Sequence, residues 1–169
     1  MSLKRKTPMK RGPGPKRKTT LAAKRAGKRR TLAPRCVKLR CDKIARIGPL
    51  CVTHADAVAW REFSIYVRTR DNRCTAEGMF NLDCNGGLQA AHVVGRRKQS
   101  TRFDPENVHA LCMAHHSLVD QHHEFGAKVT WAIAVLGEER FEALMARAQQ
   151  TKDRNVAIAE ALEFLGVAA

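Results

Sequence analysis

The groups best able to bind a metal or move a proton are concentrated in Leu88 to His123 (LQAAHVVGRRKQSTRFDPENVHALCMAHHSLVDQHH), which holds six of the seven histidines. Gln89 to Val94 is short, apolar and β-branched at its end, so it reads as a strand with His92 on it or just past it. The basic run Arg96, Arg97, Lys98 follows as a loop, and Phe103-Asp104-Pro105 turns the chain back toward Asn107 and a second strand, a hairpin with a long loop. From Met113 the pattern is helical, and His116, Asp120 and His123 recur at i, i+4 and i+7 on one face. Hydrolysis of a phosphodiester needs a base to activate water, a cation at the developing charge and positive side chains to hold the backbone. His92, with a reference pKa of about 6.5, can be the base. His116, with Asp120 and His123 as further candidates, can hold the ion, and Arg96, Arg97 and Lys98 can contact phosphates. Taken singly, His92 also fits a satisfied core histidine and the basic run an ordinary solvated loop. His109 alternates on the second strand and reads as structural, while His122 points off the metal face and reads as exposed.

The six cysteines divide without remainder into two sets of three cysteines and one histidine. Cys36-x4-Cys41-x9-Cys51-x2-His54 is the first, and Cys74-x9-Cys84 followed by Cys112-x2-His115 is the second. Thiolate and imidazole are the ligands of tetrahedral structural zinc, and paired ligands from successive turns close such a site without a large core. Two structural zinc ions are expected. The competing reading is unrelated buried thiols beside surface histidines.

The elements that must position these groups follow from apolar periodicity. His54 opens a helix through Asp71, with Ala55, Val58, Ala59, Phe63, Tyr66 and Val67 on one face; Trp60 and Tyr66 are assigned to packing rather than base stacking. Beyond His123, helices are expected over 126–136, 138–149 and about 153–165, the last either docking on the body or mediating self-association. The chain thus divides into a basic arm (1–35), a zinc knuckle (36–54), a connecting helix (55–72), a small α+β core (73–125) and C-terminal helices (126–169).

The arm carries 14 Lys or Arg and no Asp or Glu, which accounts for nearly all of the +15 net charge. Such a block reads as a disordered segment that binds a polyanion, DNA above all, because each cation at a phosphate releases counterions; a solubilising tail is the alternative. The arm lacks the apolar region of a signal peptide, and no apolar run is long enough to span a bilayer. A cytoplasmic protein with no membrane partner is expected, in a reducing compartment where thiols bind metal more readily than they pair. No base-reading set and no oligomeric state stand out.

The order His92, Asn107, His116 resembles the motif of the HNH endonucleases, and NVHALCMAHH resembles the motif's usual tail, with His115 where a second cysteine normally stands. The run from Phe63 to about Met145 resembles phage HNH proteins of the lambdoid Rap (NinG) recombination-nuclease type. The resemblance implies a ββα-metal fold, with His92 as general base, Asn107 orienting the loop that holds it and His116 as a ligand of a catalytic divalent ion. It further implies a metal-dependent endonuclease or nickase acting in phage or prophage DNA recombination, in a bacterial or phage-infected cell. Carboxylate, water and phosphate ligation suit Mg²⁺ or Mn²⁺, and imidazole also suits Ni²⁺ or Zn²⁺. One position departs from the pattern. Many HNH enzymes carry a metal ligand immediately before the base, but here that residue is Ala91, and Gln89, whose carbonyl is a weak ligand, is the nearest polar residue upstream. The departure keeps open a second reading, a non-catalytic double-zinc nucleic-acid-binding accessory or regulator on the same scaffold.

Overall fold

The computed structural model describes residues 33–121 and 125–167. Residues 1–32 of the basic arm, His122 and His123 lie outside them, and so do the expectations placed on those residues. The described chain is α+β: helix α1 (Val52–Asp71), strands β1 (Leu88–His92) and β2 (Val108–Cys112), then helices α2 (Met113–Asp120), α3 (Phe125–Leu136), α4 (Glu138–Ala148) and α5 (Arg154–Phe164). None of the helices among the described residues is long and apolar enough to cross a membrane.

β1 and β2 pair antiparallel, with Ala90 opposite Ala110 and His92 opposite Val108. An isolated hairpin is only marginally stable in water, so this one depends on burial of both faces. Successive residues point to opposite sides. Ala90, Val108 and Ala110 pack with Phe63 and Val67 of α1. Ala91 and Leu111 pack on the other side with Val119 of α2, Trp131 of α3 and Leu144 of α4. By the same parity His92 falls on the α1 side and Gln89 on the α2 side.

α1 buries Ala55, Ala59, Phe63 and Val67, the expected stripe, and ends where Asn72 turns left-handed (φ 56°) and its N–H returns to the Arg68 carbonyl. Its last turn is stapled to the hairpin. Arg70 donates to the carbonyls of Pro105 (2.7 Å) and Val108 (2.8 Å), and Asp71 accepts the Ala110 N–H at 2.6 Å. His109 belongs to this staple. Its Nδ1 meets the Arg70 guanidinium at 3.1 Å and its Nε2 meets the Glu106 carbonyl at 3.0 Å, and burial followed by the Arg70 charge holds its pKa below the usual histidine value. The structural role expected of His109 has these partners.

Two boundaries differ from the sequence-based division. The knuckle and the connecting helix overlap, because α1 begins at Val52 and its first turn carries His54. The C-terminal helices are not a separate layer: Trp131 and Leu144 are buried in the same cluster as Ala91. α5 docks on the body through Ile158, Ala161 and Leu162, which share a core with Ala55, Ala59 and Ile47.

Candidate active-site cleft and metal centres

The two cysteine-histidine sets converge as their spacing predicts. Ligands of a tetrahedral zinc, at about 2.3 Å for sulfur and 2.0–2.1 Å for nitrogen, stand roughly 3.5–3.8 Å apart. In the first set His54 Nδ1 is 3.2 Å from Cys36 Sγ and 3.4 Å from Cys51 Sγ, and Cys41 Sγ is 3.8 Å from Cys51 Sγ. In the second, His115 Nδ1 lies 3.6 Å from Cys74 Sγ, 3.7 Å from Cys84 Sγ and 3.1 Å from Cys112 Sγ. Within each set the ligand atoms lie within 4.8 Å of one another, so two Cys₃His groups could hold two structural zinc ions.

Each set uses the same local device. Cys51 is the N-cap of α1 and Cys112 the N-cap of α2, both in extended conformation, and the histidine three residues on lies in the first helical turn. The Cys112 sulfur accepts the His115 N–H at 3.5 Å, so the helix's unsatisfied donors favour a thiolate there. Burial opposes ionisation of Cys112, but the His115 N–H and ring and the Asn85 N–H outweigh it and bring the thiol down to about 6. Desolvation and the neighbouring Cys74 and Cys112 sulfurs push Cys84 up to about 12. Three sulfurs gathered around one point cannot all ionise without a cation, which fits the donor set to a metal. His115 Nε2 donates to the Met79 carbonyl at 3.3 Å, leaving Nδ1 as the coordinating atom.

Between β1, α1 and α2 lies a cleft of about 330 Å³ that brings together His92, Arg96, His116 and Asp120. His92 is 7% exposed, stacks on the Trp60 indole (centroids 4.9 Å apart) and donates from Nε2 to the Arg102 carbonyl at 3.0 Å. That bond fixes the tautomer and leaves Nδ1 as the basic nitrogen. Burial foremost, with the charges of Arg96, Arg102 and Lys128, lowers the His92 pKa to about 4, so the ring is neutral at pH 7.

Asn107 is fully buried and clamps the loop after β1. Its amide donates to the carbonyls of Val94 (3.0 Å) and Thr101 (2.8 Å), and its oxygen accepts the Val94 N–H at 2.6 Å. Three of its four hydrogen-bonding sites thus tie down the segment from Val94 to Thr101. Arg102, which supplies the carbonyl for His92, is itself held by Asp56 of α1 at 2.9 Å.

His116 carries a partner on each ring nitrogen: Gln89 Oε1 at 2.6 Å from Nδ1 and Asp120 Oδ2 at 3.1 Å from Nε2. Neighbouring ligands of an octahedral ion, at about 2.0–2.1 Å from the metal, stand roughly 3 Å apart, which matches the His116–Asp120 pair. Burial would raise the Asp120 carboxyl, but the Lys128 ammonium 2.8 Å away, His116 and Arg96 hold it below the usual carboxylate value. The Gln89 carbonyl accepts the Nδ1 proton of His116, so Gln89 orients the ring of a candidate ligand.

Other expectations are redistributed. Arg96 lines the cleft, whereas Arg97 and Lys98 are exposed on the same loop and do not. α2 ends at Asp120, where Gln121 is extended (ψ 126°), and the expectation placed on His123 lies outside the described residues. Trp60 packs against the α1–hairpin core beside Phe63, as expected, and its half-buried indole also stacks on His92. Ser64, Arg68 and Lys128 also line the cleft and had been missed. Trp60, Ser64 and Arg68 recur every four residues on α1, a helical-face signal legible in principle; Lys128 arrives from a distant helix with no local signal. Comparison with family models, with curated proteins and with solved structures finds no match.

Proposed function

We propose that the chain is a metal-dependent DNA endonuclease or nickase of HNH type, with two structural zinc ions and one catalytic divalent cation. The observation that carries the reading is the convergence, in one cationic cleft, of a neutral buried His92 with an unprotonated Nδ1 and a His116–Asp120 pair at ligand spacing. In this reading His92 Nδ1 takes a proton from the attacking water while its Nε2–H stays on the Arg102 carbonyl, which steadies the imidazolium that forms. A divalent ion held by His116 Nε2 and Asp120 would stabilise the charge developing on the phosphate and on the leaving 3′ oxygen. Arg96 and Arg68 hold phosphate oxygens, and Asn107 keeps the loop between β1 and Arg102 in place. His115 seats the helix on structural zinc while His116, about 100° further around it, turns to the cleft.

The second reading is a non-catalytic zinc protein that binds nucleic acid on the same scaffold, as a recombination accessory. Ala91, 1% exposed and without a ligand atom, favours it, as does the ion pair that Lys128 makes with Asp120. Incubation of supercoiled plasmid with Mg²⁺, Mn²⁺, Ni²⁺ or Zn²⁺ separates the two. The wild type is expected to nick with at least one ion, and His92→Ala to lose roughly 10²–10⁴-fold in rate. Nicking absent with every ion, or undiminished in His92→Ala, overturns the catalytic reading and leaves the binding one.

A further inference from the structure

The tip of the first zinc knuckle has no part in the cleft, yet it is built to project. Leu39 is 91% exposed and Val37 68%, on a turn closed by the Cys41 N–H on the Lys38 carbonyl (3.1 Å) and by Arg40 in the left-handed region (φ 59°). The base of the turn is pinned: Cys36 donates to the Lys43 carbonyl (2.9 Å) and Val37 to the Pro49 carbonyl (3.0 Å). A turn with a fixed base that presents two aliphatic side chains outward is a preformed contact surface.

The surroundings select the partner. From Arg35 to Arg46 the knuckle carries five basic residues, Arg35, Lys38, Arg40, Lys43 and Arg46, against the single acidic Asp42. In sequence it continues directly from the arm, whose residues 1–32 add 13 more Lys or Arg. That charge calls for a polyanion. Residues 33–51 contain no aromatic side chain, so the tip lacks the stacking platform on which single strands are held. Aliphatic side chains flanked by cations are instead how proteins wedge between base steps from the minor groove.

We infer that the Val37–Arg40 tip is a duplex-DNA wedge, Leu39 entering between base pairs while Lys38 and Arg40 contact the flanking phosphates. The inference rests on the DNA partner of the proposed function but not on its chemistry. Leu39→Ser and the double variant Lys38→Ala/Arg40→Ala are compared with the full-length wild type and with Val156→Ser, an exposed apolar residue of α5. The probe is a short duplex carrying 2-aminopurine, with metal analysis verifying that zinc is retained.

Leu39→Ser is expected to weaken duplex binding roughly tenfold at fixed salt. It should also abolish the 2-aminopurine rise that reports unstacking, and leave the slope of log K against log salt unchanged. The double variant should reduce that slope by about 1.8, as expected for two lost phosphate contacts. Unchanged affinity and fluorescence in Leu39→Ser overturn the wedge, as does an equal loss on single strands. A loss confined to self-association, read by sedimentation, overturns it in favour of a second copy as the occupant. Because nicking and 2-aminopurine unstacking are separate readouts on the same full-length chain, failure of the nuclease reading and failure of the wedge are read separately.

Discussion

His92 shows how far a side chain's chemistry can depart from what its type predicts. A reference histidine is half protonated near pH 6.5, but burial against Trp60 and three nearby cations bring this one to about 4. Between those two values the unfolded chain binds a proton that the native chain does not, so His92 contributes stability that is lost as pH falls from about 6.5 through 4. In the proposed enzyme the base also stays deprotonated across that range. The acid limb that His92 sets in the kcat/KM profile is therefore expected near pH 4, and a limb at the ordinary histidine value would contradict the burial argument. Gln89 makes a second prediction at this scale. Gln89→Leu removes the acceptor for His116 Nδ1, and loss of such an outer partner costs roughly 10–100-fold in metal affinity. The metal concentration for half-maximal nicking should rise by that factor, and Gln89→Glu, which keeps the acceptor, should recover most of it. His92, Asn107 and His116 were legible in the sequence because motif spacing marks them. The stacking of Trp60 on His92, the place of Lys128 and the partner of Gln89 were not, because each depends on a neighbour from another element.

Among the elements, α1 and α2 repeat one solution: a cysteine at the N-cap and a histidine three residues later. Periodicity and ligand spacing were enough to read both helices, the hairpin and the partition of six cysteines into two sets. What they did not give was the end of α2, which Gln121 sets at Asp120, or the sharing of one core by α3, α4 and the hairpin. Those outcomes come from tertiary packing, which overrides local pattern. The purified protein is expected to contain about two tightly held zinc ions per chain, with Cys51→Ser and Cys112→Ser each releasing one. Elemental analysis measures the count. The two losses should differ in consequence: Cys112→Ser frees the helix that carries His116 and should cost both far-UV ellipticity and nicking, whereas Cys51→Ser leaves the second site whole. Absence of zinc from the wild type would remove the ligand assignment.

At the scale of the whole molecule, charge is unevenly divided, with 14 of the 31 basic residues in the first 35 positions and no acidic residue among them. Deleting residues 1–30 is expected to weaken DNA binding and flatten its salt dependence while leaving thermal unfolding of the remainder unchanged, because the slope scales with phosphate contacts. An unaltered slope would make the arm a solubility device. The described residues are tied together along α1, whose Asp56 holds both Arg102, the support of His92, and Arg154 of α5 at 2.8 Å. Composition announced the arm, but nothing local announced this junction, since its partners lie far apart in the chain.

The adjacency of His115 and His116 on the eight-residue helix α2 bears on how the protein matures. A helix this short does not hold its shape alone, and His115 is one of the four residues that could hold a zinc ion at its first turn. In the proposed enzyme, metal loading is then ordered: zinc must reach Cys74, Cys84, Cys112 and His115 before His116 and Asp120 can present a site to any second ion. A chain synthesised under zinc starvation would accumulate in a form that abundant magnesium or manganese could not rescue.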